Sequence, residues 1–513
     1  MDQSPPIKLP SAFCVNTIDS SSVQIYITAC LEFLTSPLVR SLLECHPNDV
    51  VIDGPEAEWL PWWDWAAGGN DIWKCLVPGY QVDPPHYCNI PQPLNEMLHK
   101  IDSLTLPREL DIKFNLQTPS LRGMSPKKAH EVSQMTSFVS YVLNGGAHNI
   151  NHIVDVGAGQ GYLSRALTQP PLSMDVLALD FSEVQIKGFE RRTNNIAKAQ
   201  EKQEKRKLRE LRPIKSIERD LSKDNPHLHY VGSDDGQKRR GSLSHQAILI
   251  NPASLQESVT QWLSQTSTSS PIPVMITALH ACGSLTPDIF RFFVENSRIA
   301  PDRSWLLLQL DVTQYSYGSI DYDYGMLTRG LFLVDFPLSK AVADANDELG
   351  TQLHLSYNHR SLASQSPLQW ANNCSSKKIA DLAIRKVVYR ALLGKLIFSQ
   401  TDPKSRESVR SIKIGRLPDS TYATFGNFLS EVERKLERSI IRDFENDVDI
   451  PLKSQLEVVH TLRSRIGPVI ESLILMDRYL YLVENLPGRT IRMNNLFEQN
   501  LGSGRNVVLS VLP

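Results

Sequence analysis

The nine residues Val154-Asp-Val-Gly-Ala-Gly-Gln-Gly-Tyr162 constrain this chain more than any other stretch of it. An apolar run, His152 to Val156, leads into them, and helical spacing resumes at Tyr162. Gly157, Gly159 and Gly161 allow tight backbone curvature and let a ligand approach the main chain closely. A second apolar run, Val176 to Asp180, follows. Strand, glycine turn, helix and strand in this order make a right-handed βαβ unit. Taken alone, such a turn serves a dinucleotide or simply joins a strand to a helix.

The rest of the chain surrounds that unit with helical pattern. Residues 1–120 read as a helical N-terminal region, with Ser20–Leu34 and Leu38–Cys45 as helices on either side of Pro37. Five of the eight tryptophans lie between Trp59 and Trp73, and they read as buried anchors fastening this region to the next domain. Ser125 is the expected N-cap of a helix running to Leu143 and stopping at Asn144-Gly145-Gly146. Residues 121–345 form the α/β domain, with Val274–Leu279 and Trp305–Leu310 as its third and fourth clear strands. An insert at about 187–245 interrupts it. Its first part, Lys187 to Arg219, carries twelve Lys/Arg against five Asp/Glu and reads as a solvated helix or a basic arm for RNA. Gly241–Ser244 and Ser264–Ser270 read as loops. Residues 346–513 are mainly helical, with helices at Lys378–Phe398, Tyr422–Lys435 and Leu456–Glu484, and end in a strand, Val507–Leu512, that can rejoin the sheet.

Composition excludes several classes. The 513 residues carry a formal charge of -2, so any surface for nucleic acid is local. The seven cysteines are scattered, odd in number and without a CxxC pair, which argues against a disulfide framework or a zinc knuckle. His86 and Cys88 alone do not make a metal site, and none is expected. The first thirty residues lack a basic start and apolar core, and no stretch reaches the roughly 20 apolar residues of a membrane span. Val469–Val483 comes nearest but contains Glu471, Asp477 and Arg478, so it is expected as a core helix whose charges each find a partner on another element. A cytoplasmic or nuclear location, with no membrane partner, follows as an expectation.

Two features sharpen the glycine turn. Asp155 precedes the first glycine, and Asp180 ends the next strand about 20 residues on, where a carboxylate can accept both hydroxyls of a ribose. Nicotinamide enzymes share that acid, but their G-x-G-x-x-G spacing differs from the G-x-G-x-G here, which weakens an NAD-linked oxidoreductase reading. An acid two residues before G-x-G-x-G resembles the S-adenosylmethionine (SAM) motif of class I methyltransferases. That resemblance implies Asp155, Gly157, Gly159 and Gly161 around the methionine end, Asp180 on the ribose and Phe181 near the adenine. Leu279-His-Ala-Cys-Gly-Ser-Leu285 follows the third strand, at the edge where open α/β sheets bind ligands. His280 is a candidate base or orienting group and Cys282 a candidate nucleophile, or both shape the pocket. Asn251-Pro-Ala-Ser254 has only a chance likeness to the motif of amino-directed methyltransferases.

Several blocks in order also resemble the eukaryotic methyltransferase-like twenty-five family, which includes proteins called ribosomal RNA adenine dimethylase domain-containing. They are Met124–Val132, Asp155–Leu163, Leu279–Gly283, Phe336–Ser339, Leu362–Ser366 with Trp370, Glu471–Arg478, Leu496-Phe497 and Arg505-Asn506. The His-x-Cys-Gly element is similar to that of a tRNA 2'-O-methyltransferase family as well. The resemblance implies a Rossmann-like class I methyltransferase sheet with helical extensions at both ends, transferring a methyl group from SAM to RNA or protein. The chain departs from the pattern at Leu308–Thr313, where the family shows Gly-Cys-Cys-Tyr, and lacks the Asn-Leu-Pro-Tyr type of motif that adenine dimethylation uses. That departure motivates an alternative, a SAM-binding scaffold without catalysis. Lys127, Lys128 and His130 receive no role from sequence.

Overall fold

The computed structural model describes residues 6–14, 20–69, 71–80, 89–111, 123–146, 149–182, 240–266, 271–279, 281, 284–300, 305–310, 335–401, 414–437, 439–440, 449–501 and 503–512, with isolated positions between 187 and 205. Its centre is a sheet of β1 (His152–Val156), β2 (Asp175–Asp180), β3 (Leu243–Ala247), β4 (Val274–Leu279), β5 (Trp305–Leu310), β6 (Thr490–Asn495) and β7 (Val507–Leu512), in the order β3-β2-β1-β4-β5-β7-β6. Strands β1 to β5 are parallel, β7 runs antiparallel to β5, and β6 antiparallel to β7. The order steps outward from β1 in both directions. The carboxyl ends of β1 and β4 therefore flank a topological switch point, where doubly wound sheets bind ligands.

The helices are α1 (Ser20–Thr35), α2 (Pro37–Glu44), α3 (Pro47–Asp53), α4 (Leu60–Ala66), α5 (Gln92–Leu104), α6 (Pro126–Asn144) and α7 (Tyr162–Thr168). Beyond these come α8 (Pro252–Thr266), α9 (Leu285–Ile299), α10 (Lys340–Glu348), α11 (Tyr357–Ala363), α12 (Cys374–Ser399), α13 (Phe425–Leu436) and α14 (Ile450–Asn485). Alternation along the strands splits the core. Ile153, Met275, Leu306 and Val508 pack on one face with Val132 and Val139 of α6 and Leu163 and Leu167 of α7. Val154, Ile276, Leu307 and Leu509 face the other way, into a larger cluster that takes in α9, α14 and the N-terminal helices. Tyr389, Leu393, Tyr422 and Phe428 close a third, smaller core between α12 and α13.

The 36 residues of α14 span about 54 Å and form the spine of the helical part. Trp59 and Trp62 are fully buried, and the Trp63 carbonyl accepts from Gln455 Nε2 at 3.1 Å, so the tryptophan segment is anchored to α14. The charges of Val469–Val483 are all partnered. Glu471 pairs with Arg108 of another segment at 2.7 Å. Asp477 accepts from the Leu338 and Ser339 amides, and Arg478 donates to the Asp335 carbonyl and to its own neighbour Asp477, the latter at 2.7 Å. Each of the three charges thus has a partner on another element, as expected, and the Arg478–Asp477 pair within the helix is additional. No single described helix is long and apolar enough to cross a membrane.

Two strands were not legible in advance. Leu243–Ala247, part of it expected as a loop and all but its last two residues within the expected insert, is strand β3, pairing with β2 from Val176↔Leu243 to Asp180↔Ala247. It is an edge strand, half exposed, of sequence LSHQA, and carries no apolar run. Strand β6 is equally polar, TIRMNN. Helix α8 extends through Ser264 to Thr266, further than the loop reading allowed.

Candidate functional site

The turn after β1 is built from left-handed glycines. Gly157, Gly159 and Gly161 have φ of 72°, 56° and 66°. Gly157 is constrained twice, because a Cβ there would come within 3.1 Å of Leu285 Cδ2 on α9. A Cβ on Gly159 would meet nothing within 4 Å, so the space beside the middle of the turn is open. The Gly157 and Ala158 amides both donate to the Leu179 carbonyl at 2.9 Å, tying the turn to the last residues of β2.

Asp180 completes that tie with its side chain. One carboxylate oxygen accepts from the Gly159 amide at 2.8 Å and the other from the Ser182 amide at 2.8 Å. Each oxygen retains acceptor capacity beyond these bonds. Phe181, next in the chain, leaves a ring 42% exposed, and Leu249, just beyond the paired end of β3, is 66% exposed. These apolar groups follow the ends of two adjacent strands, β2 and β3. Leu249 escaped the sequence reading because the strand before it did. Asn251 and Ser254 have a structural role: each accepts, through its side chain, from the other's amide at 3.0 Å, a reciprocal cap at the start of α8.

Beneath the turn lies a buried polar layer on the α6 face. Asp155 is 1% exposed and accepts from Ser164 Oγ of α7 at 2.5 Å. Burial pushes its carboxyl up to about 6, against the opposing pull of Ser164 and Lys128. Thr277 sits beside it in register on β4, fully buried, and its Oγ1 has no hydrogen-bond partner. Glu131, 2% exposed, lies 3.8 Å from Lys128. The Ser125 side chain caps α6 by accepting from Lys128 N, as expected, so the first turn of α6 brings Lys128 towards Asp155.

The start of the charged insert folds back on the turn. Arg192 stacks on the Tyr162 ring, 4.4 Å from its centre, and donates to Gln160 Oε1 at 2.6 Å. Arg165 donates to the Gln160 carbonyl, and burial, with Arg192 nearby, lowers its proton affinity to about 10. A basic composition gave no hint that one arginine of the insert would brace the turn. The two candidate catalytic residues, His280 and Cys282, lie outside the described residues, as do positions 311–313 of the departing segment. The strand leading to His280 and Cys282, β4, ends at Leu279, on the same sheet edge as the glycine turn.

A comparison with protein families bears on this edge. Residues 127–300 match a methyltransferase domain. The matched segment is about a third of the chain and holds α6, the glycine turn, Asp180 and strands β1 to β4. The methyltransferase domain and the seven-stranded α/β sheet agree with the Rossmann-like class I fold expected from the sequence. No solved structure matches the chain significantly.

Proposed function

We propose that the chain is a SAM-dependent methyltransferase whose acceptor is a site on RNA or protein. The observation that carries the reading is the bond from the Gly159 amide to Asp180, which places a carboxylate with spare acceptor capacity over an open glycine turn. The residues present suit SAM. Asp180 would take the ribose hydroxyls, Phe181 and Leu249 the adenine faces, and the turn with Lys128, Glu131 and Asp155 the amino-acid end. A ligand that carries both an ammonium and a carboxylate matches a layer that holds both signs of charge. SAM supplies a methyl group already activated on a sulfonium, so the protein's task is to position and desolvate the reactants. Rigid anchoring of the turn to β2 and to Arg192 serves that task.

Membership of the methyltransferase-like twenty-five family belongs to the same proposal. Its support is the set of sequence blocks in order; Glu471, in one of them, helps hold the helical part by pairing with Arg108 at 2.7 Å. Isothermal calorimetry with SAM, S-adenosylhomocysteine, NAD and NADP tests the cofactor. Binding of the first two alone is expected, and binding of a nicotinamide dinucleotide in their place would overturn it. Transfer from tritiated SAM into fractionated RNA and protein then separates an enzyme from a scaffold.

A further inference from the structure

The start of the insert does more than brace the turn. Between 187 and 205 the described positions are Lys187, Gly188, Arg191, Arg192, Lys198, Lys202 and Lys205, and all are helical. They divide between two faces. Gly188 and Arg192, four apart, meet the turn. A Cβ on Gly188 would come within 3.6 Å of Gln160 Cγ, and Arg192 donates to Gln160 Oε1 at 2.6 Å and to the Gly123 carbonyl at 3.3 Å. Lys187, Arg191, Lys198, Lys202 and Lys205 are exposed instead. They follow one another at intervals of 4, 7, 4 and 3, the spacing that keeps side chains on one helix face. That face lies about a quarter turn round from the one on Gln160. In a chain whose formal charge is -2, five cations in line are a local concentration of positive charge, and Arg192 fixes it beside the glycine turn.

We propose that this basic face binds the phosphate backbone of an RNA strand and that RNA is the methyl acceptor, held beside the glycine turn. The acceptor role rests on the methyltransferase reading above. The pattern favours RNA over other anions. A helix lying on a membrane sets apolar side chains beside its basic ones, whereas every described exposed position here is basic. An acidic protein offers carboxylates at irregular intervals, while a nucleic-acid strand offers phosphates regularly along a line, as the five cations are arranged. Phosphate contacts hold the strand without reading its bases, so the choice of nucleotide falls to the site itself. There a lone pair on a nucleotide nitrogen or oxygen forms the bond to the methyl carbon. The C–S bond breaks with its electrons passing to sulfur, and the proton displaced from the nucleotide leaves to water.

The test measures binding of a fluorescein-labelled oligouridylate to the full chain across a salt series, with S-adenosylhomocysteine present. If all five cations engage, log affinity should fall against log salt with a slope of about -3.5. The variant Lys198→Gln, Lys202→Gln, Lys205→Gln changes exposed side chains and leaves Arg192 in place. It should flatten the slope by about 2 and weaken binding at least tenfold, with S-adenosylhomocysteine affinity within twofold. A control with the same charge change elsewhere, Lys100→Gln, Lys340→Gln, Lys378→Gln, should bind like the unsubstituted protein. Transfer from tritiated SAM into the RNA fraction should show a KM at least tenfold higher in the first variant and an unchanged kcat. Equal loss in both variants would overturn the proposal, as would label entering protein alone. So would binding of charge-matched polyglutamate or phosphatidylserine vesicles as tight as that of the oligouridylate. Absence of S-adenosylhomocysteine binding would instead overturn the methyltransferase reading and the acceptor role with it, whereas a failure of the RNA arms with that binding intact overturns the basic face alone.

Discussion

The Gly159 amide donates to Asp180 Oδ2 at 2.8 Å, which makes the turn after β1 and the tip of β2 one mechanical unit. Removing the carboxylate removes the brace and, with it, the proposed ligand contact. Asp180→Ala is expected to weaken SAM binding by about 1.5–3 kcal/mol, the range for hydrogen bonds to a charged group. Calorimetry on the folded variant checks it, and unchanged affinity would exclude Asp180 from the site.

Gly157 and Gly159 should respond differently to alanine. Both pay for a left-handed backbone, about 1–2 kcal/mol for a residue with Cβ. Gly157→Ala adds crowding against Leu285, whereas Gly159→Ala points into open space. Denaturant unfolding should therefore show the larger loss for Gly157→Ala. Gly159→Val should keep the fold's circular dichroism but lose SAM affinity, because the branched group occupies the approach to the turn.

Asp155 gives a pH signature. Its folded carboxyl is raised by burial to about 6, well above the unfolded value. Between those two values the folded state holds the extra proton, so stability falls as pH rises through 6 and the favourable contribution lies on the acid side. For a shift of this size the loss between pH 5 and pH 8 is about 1.4 kcal/mol. The unfolding free energy of the wild type minus that of Asp155→Asn should show this slope. A flat difference would place the carboxyl in a more polar setting than its 1% exposure implies.

Arg478→Leu makes α14 more apolar yet should destabilise the protein. The guanidinium is buried, paired with fully buried Asp477, and donates to the Asp335 carbonyl. Its loss leaves a buried carboxylate without its counter-charge, at a cost of about 3–5 kcal/mol. A denaturation midpoint equal to that of the wild type would show that the Leu338 and Ser339 amides satisfy Asp477 by themselves.

The sequence by itself determined what depends on neighbouring residues. The Val154–Tyr162 run forces a strand, a left-handed glycine turn and a helix, and Asp180 follows at the interval one βαβ unit requires. Ser125 and the apolar periodicity of α1, α2, α12 and α14 marked helices to within a few residues of their ends. Tertiary structure decided what depends on residues far apart. Strand β3 is a strand because β2 offers it an edge, and LSHQA has no apolar pattern to announce that. Arg192 braces the turn from thirty residues away, a contact that a charge count cannot contain. His130 and Phe497 lie 367 positions apart in the chain, and only the return of the C-terminal strands to the sheet brings their rings together. Local chemistry writes itself into short spacings, while contacts between distant residues are created by packing, and packing has no linear signature.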